Sequence, residues 1–155
     1  MIPPRPGAGG ALALVSIAPR DKEQLPRLAA ALANAGYRLA ATPGTREALE
    51  AAGYEVRPVA KLDEQPDTAL GEIPILELIA SGEVRLVVNT PTPRSGAVRD
   101  AAEIRLAATA EGILCLTAME TAVAAAEALD PAIAGRLADV RSLDEWVPKG
   151  SAVVV

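Results

Sequence analysis

The sequence predicts an α/β fold in three layers, α/β/α, in which a five-stranded parallel sheet is covered by helices on both faces. Short apolar runs alternate along the chain with stretches whose apolar residues recur at helical spacing, and glycines stand where several of those stretches end. At 155 residues the chain has the size of one domain, able to bury roughly two-thirds of its unfolded surface. Half of it is apolar, yet Phe is absent and the aromatic residues are Tyr37, Tyr54 and Trp146. The core must therefore be built from Ala, Leu and Val.

Residues 1–10 read as a linker and residues 11–155 as the domain. The run Gly7-Ala8-Gly9-Gly10 precedes a strand, whereas a dinucleotide-binding glycine run follows a strand and opens a helix, so it belongs to the linker. Residues 11–17 (ALALVSI) have the continuous apolar character of a buried parallel strand, with Ser16 near its C-terminal end. Asp21 is the expected N-cap of a helix over 22–35, in which Leu25, Leu28, Ala29, Leu32 and Ala35 share one face and which Gly36 closes. Pro26 conflicts with that start, because only the first helical turn tolerates a missing N–H, and it argues for a regular helix that begins later. A second strand, 37–41, runs into Thr42-Pro43-Gly44-Thr45, and Thr45 is expected to cap a helix over 46–52 that Gly53 ends.

Residues 54–59 (YEVRPV) give a third strand, placed at a sheet edge by Pro58. Lys61 opens a polar loop, 62–72, long enough to suggest mobility or function. A helix over 73–81, ended by Gly82, leads to the fourth strand, 84–89 (VRLVVN). The loop from Asn89 to Gly96 then presents hydroxyls, an amide and the Arg94 guanidinium. Asp100 is expected to cap a helix over 101–111. The fifth strand is 113–116, followed by an Ala-rich helix at about 119–129. A short helix comes after Asp130-Pro131, and a last strand could follow near 139–142.

In Rossmann-like parallel sheets ligands sit beyond the C-terminal strand ends, where the chain reverses its winding direction. Thr42 to Thr45 lie at such an end, with backbone N–H groups, two hydroxyls and a helix N-terminus to present to an anion. Taken alone, the turn is equally well explained if Thr45 merely caps a helix and Gly44 merely supplies an unusual backbone angle. The lysines favour the anion. Of fifteen cationic side chains only Lys22, Lys61 and Lys149 are lysine, and Lys22 and Lys61 stand just past the first and third strands. A lysine is a compact, flexible point charge suited to phosphate, and these two coincide with Thr42, Thr45 and Asn89 at one predicted sheet edge.

Net charge is −5, with no basic tail, which speaks against nucleic-acid binding. The single Cys115 cannot form an internal disulfide and lies in an apolar run, as expected of a small buried thiol in a reducing cytoplasm. No apolar run approaches the about 20 residues needed to cross a bilayer, and the N-terminus lacks the apolar core of a signal peptide. A soluble cytoplasmic protein is expected, either free-standing or one piece of a longer chain.

The segments ALVSIAPRDK, GYRLAATPGT, AGYEVRPVAK and GEVRLVVNTP, then Asp100 with Ile104-Arg105 and the run Ile113 to Thr117, resemble in their order the methylglyoxal-synthase-like (MGS-like) domain. The resemblance covers about residues 11–129 and is closest to the version at the C-terminus of the carbamoyl phosphate synthetase large subunit. VRSLDEW at 140–146 also resembles the end of that subunit. The resemblance implies the MGS-like fold and a regulatory domain that takes no cofactor or metal and binds a nucleotide effector, UMP or IMP. Its partners would be the remaining domains of the ATP-using synthetase large subunit and the glutaminase small subunit, a ligase that serves pyrimidine and arginine biosynthesis. Around the effector phosphate and ribose it would place Lys22, Thr42, Gly44, Thr45, Lys61, Asn89 and Thr90. Arg94 would join them from a loop slightly longer than the family's.

Relatives that respond to ornithine carry a Tyr where this chain has Cys115, so an ornithine response is not expected. The alternative function is a free-standing lyase of the methylglyoxal synthase type, which eliminates phosphate with an aspartate base and histidines. This chain has no histidine, and Ala18-Pro19-Arg20 occupies the region of the His-Asp pair. Loss of such groups costs at least the ~10²- to 10⁴-fold typical of general acid and base catalysis. The Lys-Thr-Leu-His-Pro run of the inosine-monophosphate cyclohydrolase relatives is absent as well. A docking module with a degenerate site is the third reading.

Overall fold

Pro26 decides how the chain leaves its first strand. The computed structural model describes residues 10–62, 64–91 and 95–133. In it β1 (Leu12–Ser16) is followed by a 3₁₀ helix (Pro19–Gln24) and only then by α1 (Leu25–Asn34). Pro26 occupies the second position of α1, where the N–H it lacks would have no intrahelical partner. The single helix expected over 22–35 is therefore two, and Asp21 lies within the 3₁₀ helix, whose N-cap is Ala18. Gly36, at φ 85°, turns the chain out of α1. Its N–H donates to the Ala33 carbonyl at 2.9 Å and that of Tyr37 to the Leu32 carbonyl at 2.9 Å, the paired closure of a Schellman motif.

The remaining strands are β2 (Arg38–Ala41), β3 (Val56–Ala60), β4 (Ile73–Pro74), β5 (Val84–Asn89) and β6 (Leu114–Leu116), and the helices α2 (Pro43–Ala51), α3 (Ile75–Ala80), α4 (Ser95–Ala110) and α5 (Met119–Ala128). All strand pairs are parallel and the order is β4-β3-β2-β1-β5-β6. The sheet thus has six strands where the sequence predicts five. The extra one is two residues long, too short for alternation to reveal. Val59 and Ala60 pair with it, so β3 is not the edge that Pro58 suggested. Pro58 itself pairs with Ala41 of β2 and precedes the stretch that β4 covers.

Further helix starts differ from expectation, among them that of the helix expected over 73–81, whose first two residues form β4 so that α3 begins at Ile75. Helix α2 starts at Pro43 with Thr42 as its N-cap and no side-chain capping bond, so Thr45 lies inside the first turn. Proline is at home at the first helical position, because its fixed φ suits the helix and it has no donor to orphan. Helix α4 starts at Ser95, which puts Asp100 within it and not at its cap. The linker before Gly10, Arg94, the strand near 139–142 and the VRSLDEW segment lie outside the described residues.

Side chains alternate across the sheet. Ala13, Val15, Leu39, Ala41, Leu86 and Val88 face one core with α1, α2 and α5, while Leu12, Leu14, Ala40, Val84 and Val87 face another with α3 and α4. That gives the three layers. From β1 the chain winds through β2 and β3 on one side, then crosses to β5 and β6 on the other. The reversal lies between β1 and β5, whose last residues, Ser16 and Asn89, are register partners. No helix among the described residues is long and apolar enough to cross a membrane.

Candidate anion-binding cleft

Beyond that reversal point lies a cavity of about 720 Å³. Ser16, Ile17 and Ala18 come to it from the end of β1, Thr42, Gly44 and Thr45 from the β2–α2 junction, Lys61 from the end of β3, and Asn89 and Thr90 from the end of β5. The apolar side chains of Ile75 and Ile104 close part of its wall. Parallel strands that end at similar heights bring these residues together although they are distant in sequence.

Four polar side chains at this edge are almost wholly buried: Thr42, Thr45, Asn89 and Thr90. Burial on that scale needs hydrogen bonds, and the threonines have them. The Thr45 hydroxyl accepts the Ile17 N–H at 3.0 Å and the Thr90 hydroxyl accepts the Ala18 N–H at 2.8 Å. These two N–H groups follow β1, where the ladder has ended, so the threonines replace the strand partners they would otherwise lack. Thr42 Oγ1 donates to Ser16 Oγ at 3.2 Å, and the Thr90 N–H donates to the Ser16 carbonyl at 3.0 Å. Asn89 is different. Its Nδ2 is buried with no hydrogen-bond partner among the described residues, in a side chain that lines the cavity.

The electrostatics point the same way. A Cβ placed on Gly44 would sit 3.5 Å from Lys22 Nζ, so the ammonium lies against the first turn of α2. Of the first N–H groups of α2, Pro43 has none and those of Thr45 and Arg46 donate to the Thr42 carbonyl at 2.9 and 2.8 Å. The Gly44 N–H is left at the positive end of the helix dipole. An ammonium against the positive end of a helix is a repulsive arrangement that an anion between them would relieve. Among the described residues, Lys22 has no ion pair. Lys61 does: its Nζ lies 3.0 Å from Glu64 Oε1.

Seven of the eight residues picked from the sequence, Lys22, Thr42, Gly44, Thr45, Lys61, Asn89 and Thr90, line this one cavity; the eighth, Arg94, is not described. Gly44 adopts no positive φ, so neither half of the purely structural account of the turn holds, Thr45 being no cap. Sequence reasoning missed three lining residues with polar side chains: Ser16 as a site hydroxyl, Glu64 as the partner of Lys61, and Asp100 as a wall residue. Asp100 was hidden by its resemblance to a cap, and Glu64 by its place in a loop without periodicity. No group of three or more His, Cys, Asp or Glu residues placed to hold a metal ion occurs among the described residues.

The family model of the MGS-like domain matches residues 24–117. The chain is also similar to proteins named carbamoyl phosphate synthase large chain. It is 39% identical to that of Mycobacterium tuberculosis over 131 residues, 84% of this chain. For Streptomyces coelicolor the identity is 40% over 133 residues, 86% of this chain, and for Methanothrix thermoacetophila 33% over 135 residues, 87% of this chain. The chain spans 12% of the length of each of these relatives. A solved structure described as that of ForH overlaps 81% of this chain and 92% of its own, at 23% identity and a TM-score of 0.46.

Proposed function

The chain belongs to the MGS-like domain family, and on that footing we propose that it is an allosteric nucleotide-binding domain of a carbamoyl phosphate synthase large chain. In this reading the phosphate of UMP or IMP sits between Lys22, the start of α2 and the hydroxyls of Thr45 and Thr90, with Asn89 and Lys61 completing its surroundings. Its partners are the rest of the large chain and a glutaminase subunit. The observation that supports the reading best is the Lys22 ammonium lying against the first turn of α2 with no ion pair among the described residues, in a cavity also lined by Asn89, whose Nδ2 has no hydrogen-bond partner among them.

Regulation then follows from differential binding. A ligand shifts the synthase only by as much as it prefers one arrangement of the domain against its neighbours over another, and the coupling is reciprocal. The domain has binding to do and no proton transfer, which agrees with a chain that lacks histidine; a lyase of the methylglyoxal synthase type would need such groups.

Calorimetric titration of the 155-residue chain with UMP and IMP, alongside Lys22→Met, tests the proposal. Wild-type protein should bind with one site, and Lys22→Met should bind at least about ten-fold more weakly, the value of a charge-assisted hydrogen bond. Absence of both heat and thermal shift at millimolar nucleotide removes the nucleotide reading. Turnover of dihydroxyacetone phosphate would return the lyase to favour.

A further inference from the structure

Lys22 and Lys61 both line the cavity, and they are in different states. Among the described residues Lys22 has no ion pair, whereas Lys61 Nζ lies 3.0 Å from Glu64 Oε1. Glu64 lines the same cavity, so a carboxylate of the chain's own already sits on one of the cations offered to an anion. The arrangement is local. The partners stand three positions apart, and the Glu64 N–H donates to the Lys61 carbonyl at 3.3 Å, which keeps the carboxylate within reach of the ammonium.

A phosphate and Glu64 compete for that ammonium. The side chains of the pair are 49% and 47% exposed, and an exposed ion pair contributes little because water and salt screen it. A phosphate accepts short charge-assisted hydrogen bonds and carries up to two negative charges, so it can displace the carboxylate. Glu64 can yield without disturbing the sheet. Its half-exposed side chain has solvent to turn into, and Asp67, Ala69, Leu70 and Gly71 beyond it hydrogen-bond within the same loop.

We propose that Glu64 is a built-in competitor: it occupies Lys61 in the ligand-free domain, is displaced by the anion, and so holds the affinity of the site below what its cations alone would give. The inference rests on the anion-site reading above and adds the residue that opposes it.

NMR titration of the isotopically labelled 155-residue chain with UMP and with inorganic phosphate tests it. Amide shifts read dissociation constants well into the millimolar range, so weakened variants stay measurable. Glu64→Gln keeps the size of the side chain and removes its charge, and it should bind the anion about two- to five-fold more tightly, the worth of an exposed ion pair. In a Lys61→Gln background the same substitution should bring no gain, because there is no ammonium left to release. Unchanged or weaker binding by Glu64→Gln overturns the inference, the weaker result marking Glu64 as a support for Lys61. A gain that persists without Lys61 also overturns it, since Glu64 would then act as a bare negative charge on the wall. If the wild-type chain and Glu64→Gln both fail to bind UMP and phosphate, the anion reading falls and the inference with it. If both bind alike, the inference alone falls.

Discussion

Gly44 separates the demands of the site from those of the helix. It stands in the first turn of α2, with a helical position to fill and no positive φ to require glycine. Gly44→Ala should therefore raise stability by about 0.4–1 kcal/mol, because alanine leaves the unfolded chain less freedom to lose. The new methyl would sit 3.5 Å from Lys22 Nζ, in the space an anion needs, and UMP affinity should drop about ten-fold as one charge-assisted bond is lost. Melting and titration of one variant check both; a variant that is more stable and binds equally well would show that the anion does not lie there. Burial raises the pKa of the Tyr37 phenol and of the Cys115 thiol, with Arg105 pulling the latter partly back. Above the ordinary thiol and phenol pKa values, about 8.5 and 10, the unfolded chain releases these protons more readily than the folded one and so holds fewer of them. Stability should then decline as pH rises through that window and be insensitive to these groups below it. Denaturant melts across the alkaline range would reveal the decline, and a flat profile would contradict it. That Lys22, Thr42, Thr45, Lys61 and Thr90 would meet in one cavity was legible because lysine and threonine at strand ends are chemically distinctive. Ser16 and Glu64 were not, since nothing local tells a site hydroxyl or a competing carboxylate from a solvated one.

Helix starts were harder to read than helix ends. Gly36, Gly53 and Gly112 end α1, α2 and α4 with positive φ, a backbone state that glycine reaches without steric cost, and these ends are visible in the sequence. Starts depend on which of several eligible residues the tertiary structure recruits. Thr45 has the chemistry of an N-cap, but the unpaired Ile17 N–H beyond β1 takes its hydroxyl, and Pro43 opens the helix instead. Asp100 has the same chemistry and sits inside α4. Pro26 signalled correctly that the regular helix begins late. Because it occupies the second position of α1, Pro26→Ala should change stability by no more than about 1 kcal/mol, against the ~3 kcal/mol a proline costs in a helix interior. Equilibrium urea unfolding would decide, and a gain near 3 kcal/mol would mean that the proline is strained where it stands. The two-residue β4 escaped notice because two residues make a single period of alternation, with nothing to repeat.

The whole molecule is arranged so that one edge of its sheet gathers the polar residues while both faces are given over to packing. Strand order and the reversal between β1 and β5 put Ser16, Thr42, Lys61 and Asn89 at that edge, which is why alternation of strand and helix was enough to predict that these residues share one cavity. At the opposite edge Glu83 joins Arg57 at 2.8 Å and Arg38 at 3.9 Å, exposed pairs of little energetic weight that lie away from the cavity. The two edges offer an internal comparison for a spectroscopic map. Adding UMP to isotopically labelled protein should shift the Gly44 amide and the Asn89 side-chain amide resonances, together with Ile17 and Ala18, and leave Arg38, Arg57 and Glu83 unmoved. Saturable shifts confined to the Glu83 edge, or a titration in which Gly44 and Asn89 stay in place while UMP binds, would contradict the placement of the phosphate between Lys22 and the start of α2.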